Sequence, residues 1–406
     1  MTKRLIAIPL LLCAALPAQV SNGSDGPLNL STSGDFDPVA LGKDLDGDNV
    51  YHFTTITIAS GVTVRLRASK MRNTGPVIWL AQGAVTINGS LILSGDPGHP
   101  DSQDLSLRTP SDPGPGGYPG GVGGKPGGVP QRGAGPGGGI VASTNQYGCS
   151  AGHTTTGPLP ARCTGGGASY GNVLLQPLVG GSGGSGGGPS GNWTGSGGGA
   201  GGGAIRIVSP VSITISVNAV VAADGGATGP VSGGFGGGGG SGGSIHLAAP
   251  TVSLSNGFCV ARGGAVNQIG ESGSNGRIRI DGNFVNSGGF VVPSPLVGPY
   301  QVSTLPAPNP TVRVTTINSI AVPAFPGNSY IVPDVSINTS SAVPVAIAAT
   351  NIPLGTVVTL YISTDVGGTD ATATTSPLAG TLASSTATAN LTLPSGVSRI
   401  YVRAVW

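Results

Sequence analysis

The sequence predicts an all-β protein, in which a parallel β-helix (solenoid) with Gly-rich excursions is followed by an immunoglobulin-like β-sandwich. Three observations predict this class. Strong helix formers are scarce, since the chain contains a single Glu, Glu271. Short runs of alternating apolar residues recur along the chain. Finally, 75 Gly and 34 Pro in 406 residues are combined with 38% hydrophobic and only 8% charged residues, which does not fit a wholly disordered chain.

Residues 1–18 are predicted to be a signal peptide. Lys3 and Arg4 form a basic start, an apolar run too short to span a bilayer follows, and Ala18 ends a small-residue cleavage site. Cys13 allows a lipid anchor instead, although the residue before it is larger than such a site prefers. The chain is therefore expected to be exported and to be secreted or held at the cell surface, without a transmembrane segment.

The exported chain is nearly neutral. With Lys3 and Arg4 removed from the 18 basic residues, 16 remain against 16 acidic ones. This balance gives nucleic-acid binding no electrostatic support. Cys149 and Cys163 flank a short loop and are predicted to form a disulfide, with two free thiols as the alternative. Cys259 lies in an apolar run and is predicted to be a buried free thiol.

Four segments repeat one pattern: an alternating strand, a turn at Gly or Pro, and a second strand. They begin at Val77, Ala204, Ser244 and Arg277, and the first three add a third short strand. About three short strands in roughly 20 residues form one coil of a parallel β-helix, and stacked coils share a core. An antiparallel sandwich is the competing interpretation. The predicted inward residues are Ile78, Leu80, Ile205, Ile207, Ile245, Leu247, Ile278 and Ile280.

The predicted β-helix domain spans residues 19–303 and includes a long Gly-rich loop at 95–203. Residues 114–203 hold 36 Gly in 90 positions, and 225–243 is a second such tract. Such tracts bury too little side chain to offset their own ordering entropy. We expect mobile loops, with extended polyglycine strands packed on the solenoid as the alternative.

The composition changes after residue 303. Pro306-Ala-Pro-Asn-Pro indicates a linker over 304–310, and residues 311–406 are rich in Thr, Ser, Val and Ala. Alternating runs there are separated by turn signals such as Pro326-Gly327. About seven strands in about 95 residues predict an immunoglobulin-like β-sandwich that folds as a separate domain.

Asp44, Asp46 and Asp48 are the candidate metal site. Carboxylates at alternate positions of a tight Gly turn can converge on one hard cation, and Ca²⁺ is the expected ion. The pattern departs from an EF-hand, because Gly47 occupies the fourth place instead of the sixth and Thr55 replaces the final Glu. A solvated acidic turn is the alternative interpretation.

Alignment of the four repeats places Trp79, Arg206, His246 and Arg279 in one outward column. Such a ladder on a flat sheet can bind an extended polymer, with Trp or Arg stacking on sugar or Arg pairing with uronate. The alternative is a set of ordinary outward residues, exposed or covered by the Gly-rich tracts.

No catalytic residues are identified. β-Helix polysaccharide hydrolases use clustered carboxyl groups as acid and base, whereas Asp96, Asp224 and Asp281 are scattered, each beside a Gly corner. Asp224 and Arg262 share a column at the closing corner, which predicts an ion pair between coils. The Gly-x-Gly-x-x-Gly matches follow from composition and do not indicate phosphate loops.

The segment from Asp46 to Arg65, followed by Ala84-Val-Thr-Ile-Asn-Gly-Ser-Leu and Gly-rich tracts, resembles uncharacterised Gly-rich secreted β-helix proteins of environmental bacteria. The resemblance covers residues 25–290 and extends, more distantly, to filamentous adhesins. It implies a surface or extracellular solenoid without an established activity.

Two functions are therefore expected from the sequence. The first is an exported, non-catalytic structural or adhesion protein at the cell surface, with extracellular glycans or cell-surface components as partners. The second is a polysaccharide-binding or polysaccharide-degrading β-helix, either a lyase or a glycosidase. A third, passive role is the ordering of water or matrix by glycine-rich faces.

Overall fold

The computed structural model describes residues 20–141, 147–157, 163, 165–266, 272–301, 309–323, 326, 332–365 and 371–406. The predicted signal peptide and most of the predicted linker lie outside these ranges. Two short 3₁₀ helices, Ala68–Lys70 and Leu105–Leu107, accompany the strands. The strands of the N-terminal part are β1 (Gly26–Leu30), β2 (Gly34–Asp35), β3 (Val50–Ile58), β4 (Thr63–Arg65), β5 (Val77–Ala81), β6 (Val85–Ile87), β7 (Ser90–Ile92), β8 (Ala204–Val208), β9 (Ser212–Ile215), β10 (Val220–Ala222), β11 (Ser244–Ser255), β12 (Phe258–Val260), β13 (Arg277–Ser287), β14 (Phe290–Val292) and β15 (Leu296–Gly298).

The main sheet closes on itself. It has nine strands, and six of them pair in a parallel ring in the order β3-β5-β8-β11-β9-β6 and back to β3, while β1, β13 and β15 are attached outside this ring. The prediction of an open parallel β-helix solenoid is therefore wrong, because the main sheet is a closed six-stranded parallel barrel with extra strands. The competing antiparallel interpretation fails as well for this part of the chain, since these strands pair in parallel.

The lengths of two strands explain the closure. β3 has 9 residues and β11 has 12, so each is long enough to pair with two neighbours in succession. The first half of β3 pairs with β5 and its second half with β6. In the same way, β11 pairs first with β8 and then with β9. A second sheet of short parallel strands follows the order β14-β12-β10-β7-β4-β2.

The residues of the core show which of the predicted inward positions are correct and which are wrong by one residue. Six of the predicted inward residues lie in the main core cluster: Ile205, Ile207, Ile245, Leu247, Ile278 and Ile280. The first repeat is shifted by one residue, because Val77 pairs with Ile205 and Trp79 with Ile207. The placement of Ile78 and Leu80 in this core was therefore wrong, and both join a separate small cluster on the opposite face. A one-residue shift moves every side chain of a strand to the other face.

The Gly-rich tracts are ordered backbone segments packed side by side. Gly181, Gly184 and Gly187 donate to the carbonyl oxygens of Gly202, Gly199 and Ser196, at 2.7, 2.9 and 2.9 Å. The intervening amides donate to carbonyl oxygens of other segments. The amides of residues 180, 183 and 186 donate to Gly116, Ala134 and Gln131, respectively. The amide of residue 185 donates to Cys149. The prediction of mobile loops was therefore wrong, and the alternative, packed extended strands, describes these tracts. We call these segments the glycine bundle. It comprises the described residues of 95–139, 148–152, 180–203, 224–243 and 262–276.

The three-residue spacing of these hydrogen bonds is that of polyproline II helices, which have three residues per turn and no internal hydrogen bonds. Each buried N–H must therefore find a partner on a neighbouring segment. Glycine is required because the segments lie too close for side chains. A Cβ at Gly184 would overlap the carbonyl oxygen of Gly238, and one at Gly199 would overlap that of Gly226.

The C-terminal part forms two antiparallel sheets around a core of its own. The first sheet has the order β17-β16-β18-β22-β21 and the second β20-β19-β23. Its buried residues include Val345, Ile347, Leu360 and Leu391. The strands are β16 (Thr311–Ile317), β17 (Ile320–Ala321), β18 (Val343–Thr350), β19 (Val357–Thr364), β20 (Ala371–Pro377), β21 (Ala379–Thr381), β22 (Ser384–Leu391) and β23 (Ser398–Ala404).

The two parts contact each other through a buried ion pair. The guanidinium of Arg108 donates to the carboxylate of Asp365 at 2.6 Å, and both residues are buried. Lys125 Nζ lies 2.9 Å from the other oxygen of that carboxylate. Beside this contact, the Arg132 guanidinium lies 4.9 Å from the centre of the Tyr361 ring. Asp365 therefore holds the antiparallel part against the glycine bundle.

Gly184→Ala is expected to lower the free energy of unfolding by about 1–3 kcal/mol, because the new methyl group would force two bundle segments apart. Gly165→Ala is the matched control, since its nearest neighbours are side-chain atoms of Ile140 at 3.2 Å, which can move. Denaturant unfolding of both variants measures the difference. Equal destabilisation by the two substitutions would contradict close backbone packing in the bundle.

Candidate functional site

The acidic turn before β3 brings its three carboxylates together. One oxygen each from Asp44, Asp46 and Asp48 lies within 4.8 Å of the others. Asp44 is buried, whereas Asp46 and Asp48 are exposed. The backbone turns sharply here, with positive φ at Asp44, Gly47 and Asn49. The predicted set of metal ligands therefore converges at one place on the surface.

Backbone amides hold the buried carboxylate in position. Asp44 Oδ1 accepts the N–H of Asp48 and Oδ2 accepts the N–H of Asn49, both at 3.1 Å. The neighbouring carboxylate of Asp25 accepts the N–H of Asp44 at 3.1 Å and that of His52 at 2.6 Å. These hydrogen bonds fix the turn to the start of β3.

The turn is electrostatically suited to a cation. The pKa of Asp44 is raised to about 7, chiefly by burial; the amide of Asn49 opposes the rise, and the neighbouring Asp46 and Asp48 add to it. A divalent cation would remove this repulsion. Ca²⁺ takes oxygen ligands from carboxylates, backbone carbonyls and water, so the three aspartates fit as part of its shell. Calcium binding here remains a prediction.

The predicted ladder does not form an exposed surface. Arg206, His246 and Arg279 do pair side by side in one column. Ile78 takes the place expected for Trp79, and the Trp79 ring is fully buried against Phe36 and Phe53. Trp79 was therefore wrongly assigned to the ladder.

Of the three remaining ladder residues, His246 and Arg279 pair with the buried carboxylate of Asp281, and Arg206 is buried beside them. His246 Nε2 lies 2.8 Å from Asp281 Oδ2, and Arg279 Nε donates to Asp281 Oδ1 at 2.9 Å. Arg279 also donates to the carbonyl oxygen of Leu174 at 3.0 Å, so a segment of the Gly-rich excursion covers the column. Burial raises the pKa of Asp281, but the hydrogen bonds from His246 and Arg279 outweigh it and leave this pKa below its ordinary value.

The cysteines and the corner ion pair lie as expected. Cys149 and Cys163 are joined in a disulfide, with their Cα atoms 5.5 Å apart, which confirms the predicted pair. Cys259 is a buried free thiol, and burial raises its pKa to about 12. Arg262 Nη2 lies 2.6 Å from Asp224 Oδ2 at the exposed corner.

One surface that the repeat analysis missed is an outward row of hydroxyl groups, here called the hydroxyl face. Thr57 pairs with Thr86, Thr86 with Thr214, and Thr214 with Ser253, on β3, β6, β9 and β11. Their neighbours in sequence, such as Ile56 and Ile213, are inward and buried. The alternation of Thr and Ile in β3 is the sequence signal that could have revealed this row.

The structure also contains a cleft between the two parts of the chain. Arg72 and Arg132 line it from the N-terminal part, and Arg313, Arg399 and Arg403 from the C-terminal part. In the sequence, Arg399-Ile-Tyr-Val-Arg403 puts Arg and Tyr at alternate positions of β23, which indicates one basic face of that strand.

Comparison with known proteins gives no relative: no family model, no curated protein and no solved structure matches this chain. Among the described residues, no helix has the length and apolar character that a membrane crossing requires. The candidate sites must therefore be interpreted from their own chemistry.

The acidic turn predicts a specific pH dependence in the presence of EDTA. The folded pKa of Asp44, about 7, lies above its ordinary value of 3.8. Folding therefore favours the protonated form of the Asp44 carboxyl group. The stabilisation from this group is complete below about pH 4 and is lost as the pH rises through about 7. Added Ca²⁺ should restore stability at pH 7, by about 2.7 kcal/mol at 100 times the dissociation constant.

Thermal melts of the wild type, Asp44→Asn and Asp37→Asn between pH 4 and 8, with EDTA or Ca²⁺, measure both effects. Asp44→Asn should remove the pH-dependent loss and the Ca²⁺ response, and Asp37→Asn, a matched substitution outside the turn, should keep them. If the wild type melts at the same temperature in EDTA and in Ca²⁺, the prediction that this turn binds calcium is wrong.

Proposed function

We propose that this chain is an exported, non-catalytic extracellular protein that adheres to polysaccharide surfaces. The hydroxyl face carries this proposal. Within the described part of the chain, the hydroxyls of Thr57, Thr86, Thr214 and Ser253 make no hydrogen bond to protein atoms. They are therefore available to an external partner.

The spacing and charge of the hydroxyl face favour a regular, neutral surface. Neighbouring strands of a sheet are about 4.8 Å apart, so the four hydroxyls repeat at that interval. Ser212 and Thr251 extend the array two residues along the strands, where they pair with each other. A repeating surface can engage many such weak contacts at once, and the sum of many contacts gives avidity that one hydroxyl cannot give.

The rigid frame behind this face supports the same role. The residues between the hydroxyls, such as Val85, Ile87 and Leu254, are buried in the barrel core. The array is therefore fixed by core packing and is not free to collapse onto itself. Pre-organised binding groups lose little conformational entropy on association.

Retention on insoluble neutral polysaccharides, such as cellulose and chitin, tests the proposal. We expect the wild type to be retained and Thr86→Arg/Thr214→Arg to lose at least about tenfold in retention, because two bulky cations would interrupt contact along the row. Thr386→Arg/Thr388→Arg is the matched control, since both threonines are exposed on β22 of the antiparallel part. Melting curves of both double variants verify folding.

Equal retention of the two double variants would exclude the hydroxyl face, and a wild type that stays in solution with every polysaccharide would exclude the proposed adhesion. Release of new reducing ends or unsaturated products from the same samples would favour the polysaccharide-degrading alternative instead.

A further inference from the structure

The cleft between the N-terminal part and the antiparallel part is a second candidate binding site. Its volume is 2450 Å³, against about 300–1,000 Å³ for typical small-molecule pockets. One wall is built by the β barrel and the glycine bundle, and the other by β16, β19 and β23. A cleft of this size suits an extended ligand.

The charge of the cleft is unusual for this chain. Arg72, Arg132, Arg313, Arg399 and Arg403 line it, so 5 of the 18 basic residues of the sequence meet there. Among the described residues of the lining, the acidic ones are Asp48, Asp112 and Asp334. The cleft therefore carries a net positive charge in a nearly neutral protein.

Two of these arginines are held in place by tyrosines. The Arg132 guanidinium lies over the Tyr361 ring, 4.9 Å from its centre. Arg399 donates to the hydroxyl of Tyr401 at 2.9 Å, and its guanidinium lies 5.4 Å from the centre of that ring. Tyr361 and Tyr401 are paired neighbours on β19 and β23. The cleft thus presents aromatic and guanidinium groups together.

Other donors in the cleft remain available to a ligand. Arg72 donates to the carbonyl oxygen of Lys43 at 3.1 Å, but its Nε is buried and makes no hydrogen bond. A buried donor without a partner is unfavourable until an acceptor reaches it. Arg313 and Arg403 are exposed at the opposite wall. An acceptor-rich ligand between these walls can accept hydrogen bonds from the exposed guanidinium groups of Arg313 and Arg403.

Carboxylates match these donors best. The guanidinium group binds a carboxylate through two parallel hydrogen bonds, and the described lining of the cleft includes Arg but no Lys. Tyr rings beside the arginines can contact the apolar faces of sugar rings. Carboxylates spaced along a sugar chain are the chemistry of a polyuronate.

A nucleic acid fits less well. Its backbone carries about one negative charge per 1.7 Å of duplex, and proteins that bind it neutralise several adjacent phosphates. Asp48, Asp112 and Asp334 lie among the arginines and would repel such a dense charge. The widely spaced carboxylates of a polyuronate avoid this repulsion.

The geometry points to the cleft as a binding site for an acidic polysaccharide, with the five arginines as its carboxylate ligands. This site is separate from the hydroxyl face and binds a different class of glycan. The ion pair between Arg108 and Asp365 keeps the two walls together. The expected complex is held by charge-assisted hydrogen bonds, so its affinity should fall as ionic strength rises.

Affinity electrophoresis and calorimetry of the full exported chain with polygalacturonate test this inference. EDTA is present throughout, so that Ca²⁺ cannot link the acidic turn to the polymer. We expect binding that weakens with salt, and a loss of about tenfold or more for Arg313→Gln/Arg403→Gln, since each loses charge-assisted hydrogen bonds. Arg262→Gln is the control, because that arginine is exposed outside the cleft.

Fully methyl-esterified polygalacturonate is the matched ligand control, since it keeps the sugar chain and removes the charge. Equal binding of the esterified polymer, unchanged affinity of the double variant, or absence of binding would each overturn the inference. Tighter binding of single-stranded DNA than of polygalacturonate would also overturn it. Retention on neutral polysaccharides through the hydroxyl face is measured separately and can succeed or fail independently.

Discussion

The absence of a Cβ atom at glycine is the constraint on which the rest of this structure depends. Backbones that carry no side chains can approach until the N–H of one segment bonds the carbonyl oxygen of the next. Gly184 shows the consequence, since its amide bonds Gly199 at 2.9 Å while a Cβ there would overlap Gly238. Backbone hydrogen bonds between segments thus replace the apolar side chains that usually stabilise a domain.

The glycine bundle also fixes the β barrel. Each time the chain leaves the bundle for a new strand, its last glycine bonds the end of an earlier repeat. Gly203 donates to Leu93, Gly243 to Ala223 and Gly276 to Ala261, each at 2.7 Å. The bundle and the strands that follow it therefore share one register. The positions of the hydroxyl face and of the barrel core follow from this shared register.

The bundle places the cleft as well. Arg108, Lys125 and Arg132 all lie in its first excursion and meet Asp365 and Tyr361 of the antiparallel part. The sequence separation between Arg108 and Asp365 is 257 residues. A basic cleft arises because ordered glycine segments, unlike mobile loops, can hold these side chains against a second part of the chain.

The sequence predicted the core best where strands alternate between apolar and polar residues. Ile205 and Ile207 flank Arg206, so one face is clear, and their inward placement is confirmed. Val77-Ile-Trp-Leu80 is apolar on both faces, so periodicity could not select the register and Trp79 was assigned outward. The all-β character needed only composition and alternation.

The remaining features depend on contacts between distant residues. Closure of the barrel follows from the second pairing of β3 and β11, and strand alternation does not reveal how many partners a long strand takes. The order of the Gly-rich tracts follows from hydrogen bonds between segments tens of residues apart, whereas composition reports only the entropy cost of ordering them. The cleft is lined by both the N-terminal part and the antiparallel part, so the sequence pattern of either part alone does not reveal it.

Amide hydrogen exchange of the glycine bundle tests the central claim most directly. The amides of residues 180–187 donate to several different neighbouring segments, so they should be protected from exchange to a similar extent as the amides of β8. Exchange at the rate of unstructured glycine across this segment, with β8 still protected, would contradict the account. In that case the Gly-rich tracts would be loops, and the frame for the hydroxyl face and the cleft would be lost.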